Sequence, residues 1–180
     1  MKIRTALGLT ATLIAVVVSG VGGASPAHAT VDAGHAPAPS FAADDYHEIV
    51  NTATDKCVDV VGVSKANGAL IHQWDCERGD NQLWASNDLG NGYVQFISKN
   101  SGKCMNLVLG TVVVNQQTCI SSDDRQWWRW RPADVFGNLV LQAAAQAGPC
   151  LALRPFSNRN GTMIGLADCA TTSAQIWHSE

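Results

Sequence analysis

Five side chains of the types that bind polar organic molecules lie between residues 59 and 82: Asp59, His72, Trp74, Asn81 and Gln82. An ionised carboxylate accepts strong hydrogen bonds from hydroxyl groups. An exposed indole covers an apolar ring face, and imidazole and amide groups supply further donors and acceptors. A pyranose ring has both an apolar C–H face and a rim of hydroxyls, so this combination of residue types is suited to binding a sugar.

Each of these residues also has an ordinary structural interpretation when it is taken alone. Asp59 suits a polar position facing a turn, and Trp74 suits a partly buried position. The Asn81-Gln82 pair suits the stabilisation of a strand end, a role that we expect of Gln82 in any case. The functional interpretation therefore depends on the register of the five residues within a repeated unit.

The chain contains three copies of one unit. Each copy has a cysteine followed by alternating apolar residues, then a second cysteine, then a Gln-x-Trp signature. We predict the copies over residues 46–91, 92–138 and 139–180. A unit of this length cannot bury its apolar face alone, so the three copies must pack around a shared core. The signature tryptophans are the predicted occupants of that core: Trp84, Trp128 and Trp177.

Each copy is predicted to form about four short strands. The residues that flank Asp59, Asn106 and Ala152 are apolar, a period-two alternation that places them on one face and the middle residue on the other. Short turn-forming pairs separate such segments: Asn67-Gly68, Gly110-Thr111 and Asn160-Gly161. The two Asn-Gly pairs suit tight hairpin turns. The sequence thus predicts an all-β fold with about twelve strands.

The six cysteines are predicted to form three disulfides. An even count behind an export signal favours disulfides over catalytic thiols or metal ligands, although six cysteines allow about fifteen pairings. Joining the two cysteines of each copy selects one of these pairings. The predicted bonds are Cys57–Cys76, Cys104–Cys119 and Cys150–Cys169.

The beginning of the chain has the pattern of a secretory signal peptide. Residues 1–29 combine a basic start, an apolar run and the Ala27-His28-Ala29 cleavage pattern, and residues 30–45 are predicted to be a disordered linker. We therefore expect a secreted, extracellular protein whose folded domain spans residues 46–180.

The formal net charge is −3 and there is no basic run, which disfavours nucleic acid as a partner. Membrane insertion is not expected.

The three Gln-x-Trp signatures, each behind a Cys-apolar-x-apolar segment and a second cysteine, resemble the ricin B-type lectin domain. The resemblance implies a β-trefoil with pseudo-threefold symmetry and up to three shallow sugar sites, one per repeat. The same domain serves as a carbohydrate-binding module on secreted bacterial glycoside hydrolases, beside which a stand-alone form could act. The resemblance extends over nearly all of residues 46–180.

The resemblance also implies that the repeats differ in their sites. The first repeat has the whole set, with His72 where the family often has Gln or Asn. The second has no aromatic platform but keeps polar groups, and a weak site is predicted there: Asn106, Asn115, Gln117 and Gln126. The third has neither a carboxylate nor an aromatic residue and should be structural only: Ala152, Gly165, Ala167 and Ala174.

No catalytic, metal or cofactor site is expected. We expect Asp59 to be the only carboxylate of the site, whereas a glycosidase needs two facing carboxylates. The prediction is a lectin for galactose-type sugars or plant or microbial polysaccharides. The alternative is a β-trefoil that binds proteins or inhibits a protease, because fold alone does not determine function.

Overall fold

A computed structural model of the chain describes residues 45–146 and 148–180. The predicted signal peptide and almost all of the predicted linker lie outside the described residues. Within the described part no helix is long and apolar enough to cross a membrane.

Twelve β-strands form in the described residues, four in each repeat. The strands of the first repeat are β1 (Tyr46–Asn51), β2 (Lys56–Val60), β3 (Ile71–Asp75) and β4 (Leu83–Gly90). Those of the second are β5 (Tyr93–Ser98), β6 (Cys104–Leu107), β7 (Val114–Gln117) and β8 (Trp128–Pro132). Those of the third are β9 (Leu139–Ala143), β10 (Cys150–Leu153), β11 (Ile164–Ala167) and β12 (Trp177–Ser179).

The first and last strands of the three repeats close into a six-stranded barrel. Within each repeat they pair with each other, as β1–β4, β5–β8 and β9–β12. Each last strand also pairs with the first strand of the next repeat, as β4–β5, β8–β9 and β12–β1. Every barrel strand therefore has two antiparallel neighbours and none forms an open edge.

The two middle strands of each repeat form a hairpin, and the three hairpins meet one another. The hairpins are β2–β3, β6–β7 and β10–β11. Isolated bridges join them in a ring: Leu70 to Asn115, Val113 to Gly165 and His72 to Met163. A six-stranded barrel with three hairpins around a pseudo-threefold axis is a β-trefoil, so the predicted fold class is confirmed.

The three signature tryptophans occupy equivalent places in the core. Trp84, Trp128 and Trp177 are each at most 1% exposed. Each indole N–H donates to a backbone carbonyl of the second strand of its own repeat, at 3.0–3.1 Å. The acceptors follow the first cysteine directly: Val58, Met105 and Leu151. The indoles thus fill the core without leaving a buried donor unpaired.

The signature glutamines have a shared structural role next to the disulfides. Each side-chain amide donates to the residue before the second cysteine of its repeat and accepts from the residue after it. In the first repeat, Gln82 donates to the Asp75 carbonyl and accepts from the Glu77 amide, both at 2.8 Å. Gln126 and Gln175 make the equivalent pairs of bonds. The cysteines join as predicted, as Cys57–Cys76, Cys104–Cys119 and Cys150–Cys169.

The Asn-Gly pairs differ from the predicted tight hairpin turns. Only the glycine has positive φ, at 82° for Gly68 and 81° for Gly161. Each pair forms the middle of a four-residue turn, closed between Ala66 and Ala69 or between Arg159 and Thr162. These turns lie within long connections between strands, where they contact the neighbouring repeat. The prediction of tight hairpin turns at the two Asn-Gly pairs is therefore wrong.

Candidate functional site

The Asp59 carboxylate lies at the centre of a hydrogen-bond network in the first repeat. It is 5% exposed, on β2 directly opposite His72 on β3. His72 Nε2 lies 2.8 Å from Asp59 Oδ1, in hydrogen-bonding contact. Asp59 Oδ2 accepts from the amide nitrogens of Asn81 and Gln82 at 2.8 and 2.9 Å. Three of the other four residues predicted from the sequence therefore make hydrogen bonds directly to Asp59.

This network leaves only part of the Asp59 carboxylate available to a ligand. A carboxylate has about four lone-pair positions, and protein groups occupy three of them. Among the described residues, Asn81 Oδ1 and His72 Nδ1 have no hydrogen-bond partner. The geometry therefore leaves Asp59 room to accept from one ligand hydroxyl. Asn81 Oδ1 and His72 Nδ1 supply further polar positions.

Trp74 is the fifth residue and presents an aromatic surface next to this network. It lies two residues after His72 on β3, and its side chain is on the same face of the strand. The Trp74 and His72 rings stack, with centroids 5.4 Å apart and planes 26° from parallel. Trp74 is 37% exposed, while the largest apolar side chains of the core are fully buried. The indole therefore offers a fixed, half-exposed apolar face.

The five residues line one open cavity of about 250 Å³. This is smaller than the roughly 300–1,000 Å³ of sites for drug-sized ligands and suits a single sugar ring. The sequence analysis missed four further lining residues: Gly62, Val63, Glu77 and Gly79. Glu77 corrects one expectation, because Asp59 is not the only carboxylate of the site.

Gly79 is needed for the orientation of Asn81. A Cβ atom on Gly79 would lie 2.8 Å from Asn81 Oδ1, too close for an ordinary contact. Any larger residue would force the Asn81 amide to move and would disturb its bond to Asp59. The glycine in the segment between Cys76 and Asn81 was the available sequence signal, but its meaning depends on the fold of that loop.

A loop of the third repeat supports the β3 side of the cavity. The Gln73 side chain donates to the carbonyls of Ser157 and Arg159 at 2.7 and 3.0 Å. Asn160 accepts from the Asp75 backbone amide at 3.1 Å and donates to the Asp75 carboxylate at 2.7 Å. Bonds from Lys56 and Asn160 lower the pKa of Asp75. The bonds to Gln73 and Asp75 thus hold β3 on both sides of Trp74.

The equivalent contact recurs between the first and second repeats. Gln116 donates to the carbonyls of Ser64 and Ala66 at 2.8 and 3.0 Å. The Thr118 backbone amide donates to Asn67 Oδ1 at 3.0 Å. Where the second and third repeats meet, Leu166 stands at the position of Gln73 and Gln116. Its side chain cannot donate a hydrogen bond, so this third junction lacks the contact. Two of the three junctions therefore share the same Asn-Gly contact.

The second repeat has a larger cavity with different chemistry. It measures about 450 Å³ and includes all four residues of the predicted weak site. Asn106 donates to Asn115 Oδ1 at 3.0 Å, so a bond between two neutral amides stands where the first repeat has the contact between Asp59 and His72. Arg125 takes the place of Asn81 and donates to Asp123 at 2.8 Å, which lowers the pKa of the Asp123 carboxyl. There is no aromatic platform among the residues that line this cavity.

The third repeat has an alanine-lined depression of about 190 Å³ at the equivalent position. Ala152, Ala167 and Ala174 line it, as the sequence suggested. Gly165 is instead packed against the second repeat, since an added Cβ would lie 2.4 Å from the Val112 carbonyl oxygen. This surface has no arrangement of polar groups like that around Asp59.

Two family models match overlapping parts of the chain. The family model described as ricin-type beta-trefoil lectin domain-like matches residues 40–121, which include the whole first repeat and its cavity. The predicted resemblance to the ricin B-type lectin domain is therefore confirmed. A second model, of the cytolethal distending toxin A/C domain, matches residues 85–178, a little over half of the chain, so the chain belongs to this family.

Solved structures share the fold of this lectin-like protein. The designed threefold-symmetric protein ThreeFoil is 27% identical, with a TM-score of 0.70 over 76% of this chain and 98% of its own. The C-half of an earthworm R-type lectin, in complex with GalNAc, is 19% identical, with a TM-score of 0.62 over 76% and 98%. An exo-β-1,3-galactanase from Clostridium thermocellum is 23% identical, with a TM-score of 0.68 over 78% of this chain. The match covers only 31% of the galactanase, so it concerns one part of that enzyme.

Proposed function

We propose that this protein is a secreted, non-catalytic lectin that binds galactose-type sugars or plant or microbial polysaccharides through the first repeat. The observation that carries the proposal is the Asp59 carboxylate, which three donors orient at the base of a cavity lined by the half-exposed Trp74. Fixed acceptors beside an exposed aromatic ring match the two kinds of surface on a pyranose.

The free positions of the network define how a sugar would bind. One sugar hydroxyl donates to the remaining lone pair of Asp59 Oδ1, and a neighbouring hydroxyl donates to Asn81 Oδ1. His72 Nδ1 accepts a further hydrogen bond when His72 Nε2 carries the proton shared with Asp59. The C–H face of the ring then covers Trp74. Because the protein already holds these groups in place, binding requires little ordering of side chains.

The comparisons support binding of carbohydrate in general and leave the individual sugar to experiment. The model that matches the first repeat describes a lectin-like domain, and the earthworm lectin was solved with GalNAc. Part of the galactanase has the same fold. Three disulfides are typical of extracellular proteins, which supports secretion. Action beside a secreted glycoside hydrolase is part of the proposal, with the galactanase as the relevant precedent.

The contacts of the two carboxylates in the cavity support a non-catalytic role. A glycosidase places two carboxylates across the scissile bond, one of which acts as a proton donor. Here Asp59 is bonded to two amides and an imidazole, and Glu77 is solvent-exposed. This arrangement suits a fixed acceptor. Release of reducing sugar from a bound polysaccharide, lost in Glu77→Gln, would contradict it.

The direct test is the binding of residues 30–180 to immobilised glycans and insoluble polysaccharides. One small cavity should give an affinity near millimolar, about −4 kcal/mol, and a monomer should agglutinate red cells poorly because several sites are needed for avidity. Binding to at least one galactose-containing glycan is the expected result. If no carbohydrate on the panel binds, the protein-interaction alternative replaces the lectin proposal.

We expect Asn160→Ala to weaken sugar binding about three- to tenfold, because Asn160 holds the part of β3 that carries Trp74. The substitution removes two exposed hydrogen bonds, so the free energy of unfolding should fall by about 1 kcal/mol. Affinity is measured by calorimetric titration and stability by urea unfolding.

Asn67→Ala is the matched control for Asn160→Ala. It removes the same contact at the junction between the first and second repeats, where Asn67 bonds Thr118. We expect a similar loss of stability and an unchanged affinity. Equal affinities for the two variants would show that the contact made by Asn160 has no part in binding.

A further inference from the structure

Val63 has a backbone conformation that valine seldom adopts, and it lies at the proposed sugar cavity. Its φ is +54°, and the preceding Gly62 has φ +66°. A β-branched side chain at positive φ clashes with its own backbone, so glycine or asparagine would be the unstrained choices. An unfavourable conformation of this kind is maintained only where surrounding structure fixes it, and such residues cluster at binding sites.

The surrounding structure does fix this segment. Asn100, at the start of the second repeat, donates its side-chain amide to the Val63 carbonyl at 3.0 Å. The Asn100 backbone amide donates to the Asp80 carbonyl at 3.0 Å. Asp80 precedes Asn81, so one asparagine ties the Val63 turn to the segment that positions a proposed sugar-binding amide. The strained turn is therefore part of the framework of the cavity.

The side chain of Val63 is exposed even though it is apolar. It is 57% exposed and lines the cavity together with Trp74. The remaining side chains that line the cavity are polar or charged: Asp59, His72, Glu77, Asn81 and Gln82. The cavity therefore has two separate apolar surfaces, one on β3 and one on the turn that follows β2.

A sugar that bears only hydroxyls has one apolar surface, its C–H face, and Trp74 is enough to cover it. A second apolar surface in the cavity corresponds to a second apolar group on the ligand. Most hexoses carry a hydroxymethyl group outside the ring, and its hydroxyl would lose water against a valine side chain without gaining a hydrogen-bond partner there. A methyl group has no such cost, and it is found in the acetamido group of an N-acetylhexosamine and at C6 of a 6-deoxyhexose. Both present the same chemistry to a valine side chain.

We propose that Val63 is a specificity-determining residue of the first-repeat site and that the preferred ligand is a methyl-bearing sugar. This inference rests on the proposed lectin function and specifies the class of sugar. The methyl group of the ligand packs against Val63 while the ring covers Trp74 and the hydroxyls bond Asp59 and Asn81. Burying one methyl group is worth about fourfold in affinity.

The experiment compares galactose, N-acetylgalactosamine and D-fucose, which is 6-deoxygalactose, by titration of residues 30–180. Wild type should bind one of the two methyl-bearing sugars about fourfold more tightly than galactose, and the one that is preferred identifies the source of the methyl group. Val63→Gly and Val63→Asn should both lose that preference, measured in each variant as the ratio of the affinities for the methyl-bearing sugar and for galactose. Both residues tolerate positive φ, so these variants should fold, and the unfolding midpoint of Val63→Asn should rise.

Val61→Ala is the matched control, because Val61 is exposed on the same turn but does not line the cavity. It should retain the preference of wild type. If wild type binds galactose as tightly as both methyl-bearing sugars, or if the Val63 variants keep the preference, the inference is wrong and the lectin function stands. If wild type binds none of the three sugars but binds another glycan without a methyl group, the inference fails in the same way. If wild type binds no glycan, the proposed function fails together with the inference.

Discussion

Asp59→Asn is expected to reduce sugar affinity by about 10- to 100-fold, which takes a millimolar interaction below detection. The substitution keeps the shape of the side chain but removes its charge, and hydrogen bonds to charged groups contribute about 1.5–3 kcal/mol. It also replaces one acceptor oxygen by an NH₂ group. The new side-chain amide would then meet donors from Asn81 and Gln82 on one side and His72 on the other. Titration with the best glycan from the panel measures the loss.

The matched control for this loss is Asn106→Ala in the second repeat. Asn106 occupies the same register on β6 that Asp59 occupies on β2, and it is equally buried, at 4% against 5%. Its removal should lower stability by about 1–3 kcal/mol because Asn115 loses its partner, but affinity should not change. If Asn106→Ala abolishes binding and Asp59→Asn does not, the larger second cavity is the site and the assignment to the first repeat is wrong.

The fold was predictable because its determinants repeat along the chain. Each Gln-x-Trp signature supplies a tryptophan that bonds the second strand and a glutamine that bonds both sides of the second cysteine. These interactions lie within one repeat, so their spacing in the sequence is similar in the three copies, with separations of 26, 23 and 26 residues between the tryptophan and its acceptor. The pairing of the cysteines follows for the same reason, since each disulfide closes a loop inside its own repeat.

The candidate site was only partly predictable, because several of its determinants lie outside that repeating pattern. Asp59 and His72 are found from their register on paired strands, and Asn81 from its place before the signature. Val63 and Asn160 could not be found in this way, since their positions depend on a strained turn and on a loop of another repeat. The degree to which Asp59 is already bonded by protein groups also needs three-dimensional information.

The three repeats show that fold and site are separable within this chain. All three keep the buried tryptophan and the glutamine bonds that maintain the trefoil. Only the first combines a carboxylate with an aromatic platform. The second replaces the carboxylate by Asn106, whose amide nitrogen donates to Asn115 and to the Leu107 carbonyl. The third has Ala152 at that position, which needs no partner. Each replacement avoids leaving a buried polar group without a hydrogen bond.

This separation predicts that the third repeat can be damaged without loss of the site. Trp177→Ala should lower the free energy of unfolding by about 3–5 kcal/mol, the usual cost of truncating a large aromatic residue in a packed core. Trp177 is 1% exposed, and its removal leaves the Leu151 carbonyl without a donor as well as creating a cavity. Urea unfolding monitored by circular dichroism measures the change.

Trp177→Phe distinguishes the contribution of volume from that of the hydrogen bond. Phenylalanine keeps most of the apolar contact but cannot donate to Leu151, so the expected loss lies well below that of Trp177→Ala. Both variants should bind the glycan as wild type does under conditions in which they remain folded, because Trp177 does not line the Asp59 cavity. A loss of affinity in folded Trp177→Phe would mean that the repeats are coupled through the core. In that case the site in the first repeat could not be regarded as independent of the third.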